Sequence, residues 1–318
     1  MGRMMKAVVF NKYGDNEVVE IKDMPVPSCG PRDVLVKVHT ASVNPVDWKM
    51  RSGQLRIVTG GRFPKILGRE CAGEVISIGS EVTKFKAGDQ AVALPAIRSM
   101  GAFAEYACAP EKTTFLKSRT ISFEEAACIP IAGLTALQAL RDKGRITSGQ
   151  KVLINGASGG VGHFAVQIAK IFGANVTGVC SEANSDFVKS LGADNVIDYT
   201  KEDFTKGRDR YDIIFDAVAK RSFGACKNVL VEYGRYISTL PSPAVLLNRY
   251  LTGFLTRKKA TDIWVKPNAA DVEWMMDQIR AGRIKIAIDK IYPLDRAKEA
   301  LAFSEAGKAR GKIVLKVI

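Results

Sequence analysis

The chain has 318 residues, of which 47% are apolar and 25% are charged, a composition that excludes a disordered or fibrous protein. At roughly 150 residues per domain, this length predicts two domains. Lys and Arg number 47 and Asp and Glu 33, which gives a formal net charge of +14. The basic residues are scattered and no nucleic-acid motif accompanies them, so we predict a basic surface and no nucleic-acid partner.

No C-x-x-C pair occurs, and a disulfide framework is not expected in a chain of this length, so we predict reduced thiols and a cytoplasmic location. The N-terminal segment MGRMMKAVVF has too short an apolar part for a signal peptide. The most apolar later stretch, residues 243–255, is interrupted by Asn248 and Arg249. It is shorter than the roughly 20 apolar residues of a membrane span, so we predict no membrane-spanning segment. The six cysteines are Cys29, Cys71, Cys108, Cys128, Cys180 and Cys226.

The first third of the chain has short β-branched runs separated by Gly, Pro and Asp, which predicts a β-rich domain. The pattern changes at Ser122, which forms a capping-box pattern with Glu125 and begins a predicted helix that ends near Gly144. Strands then alternate with helices, which is typical of a doubly wound parallel sheet. The predicted strands are 151–155, 175–180, 195–199, 212–218 and 235–240, and the predicted helices after the glycine-rich loop include 185–193 and 225–234.

The C-terminal part predicts helix 269–284, a strand within 285–294, helix 295–307 and strand 312–318. Because its β character resembles that of the first domain, we expect the chain to return there and complete that domain.

The segment NGASGGVG, residues 155–162, follows a buried strand and begins an amphipathic helix, the context that a dinucleotide-binding loop requires. Such a loop directs backbone amides and a helix N-terminus at a pyrophosphate. Alanine stands at the first fingerprint position, where it suits a tight turn only if its φ stays negative. The predicted phosphate-binding residues are Ala157, Ser158, Gly159, Gly160, Val161 and Gly162.

The next strand ends at Cys180 and Ser181, where NAD-dependent enzymes carry an acidic residue for the ribose 2′-hydroxyl. An uncharged strand end leaves room for a 2′-phosphate, to which Ser181, Asn184 and Tyr199 can contribute hydrogen bonds. The sequence therefore favours NADPH over NADH.

With these residues in place, nearly the whole chain resembles the zinc-free quinone oxidoreductases, the zeta-crystallin-like branch of the medium-chain dehydrogenase/reductase superfamily. The resemblance implies an α/β fold with a GroES-like catalytic domain, residues 1–123 together with 267–318, and a Rossmann NADP-binding domain, residues 124–266. It also implies a homodimer. The motifs that carry it are ASVNPVDWKMRSG (41–53), PKILGRECAGEVISIG (64–79), IPIAGLTALQAL (129–140), NGASGGVG (155–162), SLGADNVIDY (190–199) and ARGKIVL (309–315).

Zinc-dependent relatives have Cys where this chain has Asn44, and Gly-His-Glu where it has Gly68, Arg69 and Glu70. Zinc needs imidazole or thiolate ligands, and the protein has only two histidines, neither at these positions. The resemblance therefore implies catalysis without zinc.

The resemblance places Asn44 and Lys49 beside the nicotinamide, with Lys49 as a candidate proton donor. The intervening Asp47 is expected to be the N-cap of a short helical turn. Further cofactor contacts that the resemblance implies are Thr135, Ser238, Thr239, Leu240, Arg310 and Lys312.

The implied activity is hydride transfer from NADPH to a quinone or an α,β-unsaturated carbonyl. Two alternatives stay open: a narrower enone or 2-alkenal reductase, and a cofactor-binding protein with a structural or interaction role. Residues 241–268 carry no motif, and are expected to form a pocket wall or a dimer surface rather than a peripheral membrane contact.

Overall fold

The computed structural model describes residues 3–98, 101–240 and 257–318, and it divides the chain into two compact units. The first unit comprises Met1–Ile131, Pro267–Arg280 and Ile288–Ile318. The second unit comprises Ala132–Lys266 and Ala281–Ala287. Predictions that concern residues 241–256, including most of the segment without a motif, lie outside the described residues.

Strands and helices of the described residues follow the expected order along the chain. The strands are β1 (Met4–Phe10), β2 (Val19–Pro25), β3 (Asp33–Val43), β4 (Lys65–Ile66), β5 (Cys71–Ile78), β6 (Gln90–Ala93), β7 (Tyr106–Pro110), β8 (Thr114–Leu116), β9 (Lys151–Asn155), β10 (Asn175–Cys180), β11 (Asn195–Asp198), β12 (Tyr211–Asp216), β13 (Leu230–Ser238), β14 (Lys259–Asp262), β15 (Ile288–Pro293) and β16 (Lys312–Lys316). The helices are α1 (Pro45–Arg51), α2 (Arg56–Thr59), α3 (Phe123–Ala126), α4 (Leu134–Gln138), α5 (Gly162–Ile171), α6 (Ser185–Ser190), α7 (Phe223–Cys226), α8 (Ala269–Arg280) and α9 (Ala297–Glu305).

The first unit is β-rich, with a three-stranded sheet in the order β2-β1-β4 and a seven-stranded sheet. The larger sheet runs β15-β16-β3-β5-β6-β8, and β7 also pairs with β3. In β3 every second residue from Val34 to Val38 is buried, because alternate side chains of a strand point to one face. The C-terminal strand β16 pairs antiparallel with β3, so the end of the chain completes this sheet.

The second unit has a six-stranded sheet in the order β11-β10-β9-β12-β13-β14, in which every strand pair is parallel. This is the strand order of a doubly wound dinucleotide-binding sheet, whose direction of winding reverses between its first and fourth strands. Here that switch point lies between β9 and β12. The expected α/β class is confirmed.

The prediction of a helix over residues 225–234 is wrong. Helical structure ends with α7 and a single 3₁₀ turn, Lys227–Val229, and strand β13 begins at Leu230. Leu230 and Tyr236 are buried beside β12, so tertiary burial decides the conformation here rather than local propensity. A register irregularity opposite Tyr211 and Ile213 takes up the additional residues of the long strand.

The helical segment that begins at Ser122 is confirmed, with its capping box. Glu125 N donates to Ser122 Oγ over 3.1 Å, and Ser122 N donates to Glu125 Oε2 over 3.0 Å. The segment widens into a π-helical turn at Ile129–Gly133, where Pro130 has no amide hydrogen to continue an α-helical ladder.

The prediction that all cysteines are reduced is wrong for Cys29 and Cys108, which are paired as a disulfide with their Cα atoms 5.8 Å apart. Antiparallel pairing of β3 with β7 places Leu35 opposite Cys108 and so brings the segment before β3 next to this cysteine. A separation of 79 residues gave no sequence signal for the pair. The other four cysteines are free and buried.

None of the helices in the described ranges is long and apolar enough to cross a membrane.

Candidate active site and dinucleotide loop

The glycine loop joins β9 to α5 in the second unit, and its backbone requires glycine at two positions. Gly156 has a φ of +81°, a conformation that L side chains rarely adopt. A Cβ added to Gly162, the first residue of α5, would lie 2.0 Å from Gly156 O. A Cβ added to Gly159 would lie 3.4 Å from the same oxygen, which is an ordinary contact. Gly162 therefore lets the helix start directly against the turn.

Ala157 occupies the first fingerprint position without strain. It is fully buried, and it is not among the non-glycine residues with positive φ in the described part of the chain. Its methyl group lies 3.0 Å from where a Cβ of Gly178 in β10 would be. The methyl group of Ala157 thus fills the space next to Gly178. The positive φ that the turn needs is adopted by Gly156 instead.

An uncharged polar cluster follows the end of β10. Asn184 Nδ2 donates to Ser181 Oγ over 3.2 Å and approaches Ser158 Oγ of the glycine loop at 3.3 Å. The structure thus brings together three of the predicted cofactor residues. The neighbouring Glu182 forms an exposed ion pair with Lys201 at 2.6 Å. Its carboxylate is therefore balanced by a partner outside the cluster.

Tyr199 lies just beyond β11, and its backbone N donates to Cys180 O over 3.0 Å. Its side chain is 58% exposed, so the ring is available to a ligand at this edge of the sheet. Thr135, in α4 of the same unit, is 8% exposed.

A buried carboxylate, which the sequence analysis missed, joins the carboxyl ends of three central strands. Asp216, at the end of β12, is fully buried and accepts hydrogen bonds from Asn155 Nδ2 (2.9 Å), Arg221 N (2.8 Å) and Tyr236 OH (3.1 Å). Burial raises the pKa of the Tyr236 hydroxyl, and the negative charge of Asp216 raises it further. The sequence pattern that could have revealed Asp216 is an acidic residue at the end of an apolar strand, beside the place where a doubly wound sheet binds its ligand.

The predicted cofactor contacts Ser238, Thr239 and Leu240 lie where β13 ends, at the same edge of the sheet as Asp216. Leu240 N donates to Ser238 Oγ over 3.3 Å, and Thr239 Oγ1 donates to Ala217 O over 3.2 Å. These bonds fix the chain as it leaves the sheet.

Asn44 lies in the first unit, at the N-terminus of α1, and both ends of its amide are engaged. Nδ2 donates to Glu70 Oε1 over 2.6 Å, and Oδ1 accepts from Lys312 Nζ over 2.7 Å. The residue is 4% exposed. The side chain of Asn44 is therefore part of a buried hydrogen-bond network within the protein.

Glu70 and Lys312 complete this network, which we call the Asn44–Glu70–Lys312 cluster. Glu70 is fully buried, and Lys312 is 2% exposed with its Nζ 3.2 Å from Glu70 Oε1. Glu70 Oε2 accepts from Ile131 N over 2.7 Å. Burying two charges is costly unless they are paired and hydrogen-bonded, as they are here. The structure thus places Lys312 within the first unit's core, and Arg310, two residues earlier, donates its backbone N to Asp289 over 2.8 Å.

Asp47 is not the N-cap of α1; that position belongs to Asn44, whose backbone N donates to Asp47 Oδ2 over 2.7 Å. Asp47 is fully buried, and its Oδ1 has no hydrogen-bond partner among the described residues. Burial raises the pKa of Asp47 to about 7, and the charge of Glu70 adds to this effect. The backbone hydrogen bond from Asn44 and the charges of Arg69 and Lys312 lower the pKa, but by less.

Lys49 lies two residues further along α1 and is half-buried. Burial lowers its pKa, because desolvation disfavours the ammonium. Its Nζ lies 5.3 Å from the centroid of the Trp48 ring, and no carboxylate pairs with it within the described ranges. The ammonium is therefore free to meet a ligand.

The residues at the positions of zinc ligands do not fit a zinc ion. Asn44 Oδ1 is occupied by the Lys312 ammonium, and Arg69 brings a guanidinium that donates to Pro95 O. Zinc sites use thiolate, imidazole or carboxylate ligands. Here Asn44 and Arg69 contribute a neutral amide and a cation, and both oxygens of the Glu70 carboxylate are already used by Asn44, Lys312 and Ile131. The described residues contain no group of three or more His, Cys, Asp or Glu side chains placed to hold a metal.

Comparison with known proteins identifies the family. Residues 30–119 match the family described as alcohol dehydrogenase GroES-like domain, and residues 191–315 match the family described as zinc-binding dehydrogenase. The chain is 37% identical to a chloroplast envelope quinone oxidoreductase homolog of Arabidopsis thaliana, over 99% of both chains. It is 33% identical to 2-methylene-furan-3-one reductase of Solanum lycopersicum, over 98% of this chain and 79% of that protein.

The structure of the quinone oxidoreductase from Coxiella burnetii superposes with a TM-score of 0.94 at 33% identity, over 99% of this chain and 100% of that one. The two units thus define an oxidoreductase of the GroES-like and Rossmann architecture, and the expected fold class is confirmed in full. The chain belongs to the quinone oxidoreductase branch of the medium-chain dehydrogenase/reductase superfamily. Membership in this family implies a nicotinamide cofactor.

The glycine loop gives a first testable prediction. We expect Gly162→Ala to destabilise the chain by on the order of 3 kcal/mol, because the new methyl group overlaps a backbone oxygen that cannot move independently. It should also abolish binding of a nicotinamide nucleotide, measured by fluorescence titration. Gly159→Ala is the matched control for stability, and should unfold like the wild type, because a Cβ there meets no protein atom closer than 3.4 Å. Equal loss of stability in the two variants would contradict the close approach at Gly162.

Asp47 gives a prediction about pH. Between its ordinary pKa of 3.8 and its folded value of about 7, the folded chain holds a proton that the unfolded chain has released. Stability therefore falls as the pH rises through this window. Relative to Asp47→Asn, the wild-type free energy of unfolding should drop by about 3 kcal/mol from about pH 5 to about pH 8 in urea titrations. The exposed Asp295→Asn is the control, and parallel pH curves for wild type and Asp47→Asn would refute the assignment.

Proposed function

We propose that this protein is an NADPH-dependent oxidoreductase that reduces quinones or α,β-unsaturated carbonyls without zinc. The observation that carries the proposal is the buried Lys312 ammonium, which binds Glu70 and also Asn44, the position where zinc-dependent relatives have a cysteine. A resident ammonium removes the Lewis acid on which alcohol dehydrogenation depends. The family relationship to quinone oxidoreductases supports the acceptor class.

We propose that the backbone amides of Ala157 to Gly162 and the start of α5 hold the cofactor pyrophosphate, because the loop is shaped by close approach at Gly162. The preference for NADPH rests on Ser181, Asn184 and Ser158, whose hydrogen-bonded cluster has no acid of its own to repel a 2′-phosphate. Further proposed contacts are Thr135, Tyr199, Ser238, Thr239, Leu240 and Arg310.

The bound cofactor supplies a hydride. Negative charge then develops on the substrate oxygen, and a nearby donor stabilises it. We assign this role to Lys49, whose half-buried ammonium has no carboxylate partner in the described part of the chain and whose pKa is lowered by burial. Asn44 and Lys312 contribute by fixing the N-terminus of α1, which carries Lys49.

The proposal retains a homodimer, a cytoplasmic location, and domains of residues 1–123 with 267–318 and of residues 124–266. A narrower enone reductase is the second candidate, favoured by the similarity to 2-methylene-furan-3-one reductase. A purely structural or interaction role is the remaining alternative.

A panel assay tests the activity. The purified protein is mixed with NADPH or NADH and with ortho-quinones, para-quinones, 2-alkenals and simple alcohols, and cofactor absorbance is followed. We expect oxidation of NADPH by quinones or enones, unaffected by a chelator. Turnover of enones alone would select the second candidate, and no turnover with any acceptor would refute the reductase. Preference for NADH would refute the argument from Ser181 and Asn184, and chelator-sensitive alcohol oxidation would refute zinc independence.

Lys49 is tested by Lys49→Met, which keeps much of the aliphatic stem and removes the charge. We expect kcat to fall by about 100-fold or more, the usual range for a lost acid catalyst, while the Kd for NADPH changes little. The wild-type rate should also decline at high pH as Lys49 loses its proton, and this limb should vanish in the variant. Lys112→Met, remote in sequence and exposed, is the control. An unchanged kcat would remove Lys49 from the mechanism.

A further inference from the structure

A cavity of about 630 Å³ in the first unit lies outside the groups already described. Its lining includes Ile57 and Val58 of α2, the following Gly60 and Gly61, and three basic side chains, Arg62, Lys65 and Arg98. This volume is within the range of small-molecule sites.

The charge of this cavity is unbalanced. No acidic residue is among its described lining, and neither Arg62 nor Arg98 has an ion-pair partner in the part of the chain that the structure describes. Lys65 is only 7% exposed, yet its Nζ has no carboxylate partner among the described residues: it donates to Thr59 O over 2.8 Å and lies 5.6 Å from the centroid of the Phe63 ring. Buried charges in proteins are normally paired, so an ammonium in this position lacks its counter-ion.

Two of the lining residues, Thr59 and Gly60, are held in place by Tyr13, which lies outside the lining. Tyr13 OH hydrogen-bonds Thr59 Oγ1 over 2.9 Å and also donates to Gly60 O. Burial lowers the pKa of Lys65, because its charge has been taken out of water. The Lys65 ammonium is thus held at a fixed place, while the two arginines on the exposed side can close on a ligand.

The other lining residues offer an apolar surface and space. Ile57 is 94% exposed, and Val58 beside it is half-buried. A Cβ added to Gly60 or Gly61 would have no heavy atom within 4 Å, so the backbone there leaves room for a ligand. Arginine forks bind carboxylate, sulfonate or phosphate oxygens in a bidentate manner.

We propose that this cavity binds an amphiphilic anion, a molecule with one aromatic or alkyl part that packs on Ile57 and Val58 and one anionic group held by Arg62, Lys65 and Arg98. Every described residue of its lining belongs to the first unit. None of them has a role in the proposed reductase activity, so the binding of an anion here does not rest on it.

The test is calorimetric titration of the full-length protein with 2-naphthoate, and with neutral 2-naphthamide as the matched ligand. We expect 2-naphthoate to bind and 2-naphthamide to bind at least about tenfold more weakly, with the affinity for 2-naphthoate falling as salt rises. Arg62→Gln and Arg98→Gln should each weaken 2-naphthoate binding about five- to tenfold, and Ile57→Ser should weaken it as well. Arg119→Gln, an exposed arginine outside the cavity, should leave binding unchanged.

Equal affinities for the two naphthalene ligands, or unchanged binding in both arginine variants, would overturn the proposal. If inorganic phosphate bound as tightly as 2-naphthoate, the proposed packing of an aromatic or alkyl part on Ile57 and Val58 would be refuted. Loss of 2-naphthoate binding at saturating NADPH would assign the anion to the cofactor loop instead. Thermal unfolding of each variant, with an unchanged midpoint, confirms that these exposed substitutions leave the fold intact.

Discussion

The first unit is organised around one buried carboxylate. Both oxygens of Glu70 are used, one by Asn44 Nδ2 and Lys312 Nζ and the other by Ile131 N. These partners come from three segments that are distant in the sequence, including the C-terminal strand. Removing either charge would leave the other buried and unpaired, which typically costs 3–5 kcal/mol. This constraint holds β16 in the sheet and the N-terminus of α1 in position.

The chemistry proposed for α1 follows from that constraint. Asn44 begins the helix, and its backbone N binds Asp47, so the network that fixes Asn44 also fixes the turn that presents Lys49. The Lys312 ammonium satisfies the amide oxygen and the carboxylate together. A protein cation thus stabilises both oxygen atoms. In the proposed mechanism, an electrophile depends on side-chain donors for its activation.

The second unit has its own buried carboxylate, Asp216, at the switch point of the parallel sheet. It connects the ends of β9, β12 and β13, the edge where ligands of such sheets bind. Together with the close approach at Gly162, it gives the glycine loop, the proposed dinucleotide site, a rigid base. Preorganisation of this kind reduces the ordering cost of binding a flexible dinucleotide.

The sequence by itself determined the α/β class, most strands and helices, the glycine loop and the family, because these depend on local periodicity, glycine conformation and ordered motifs. Only the tertiary structure decided that residues 230–234 form a strand, since burial of Leu230 and Tyr236 beside β12 outweighs local propensity. It also decided the Cys29–Cys108 pair and the positions of Glu70, Asp216 and Lys312. Partners of a buried charge come from distant segments, and their spacing in the sequence carries no period that would reveal them.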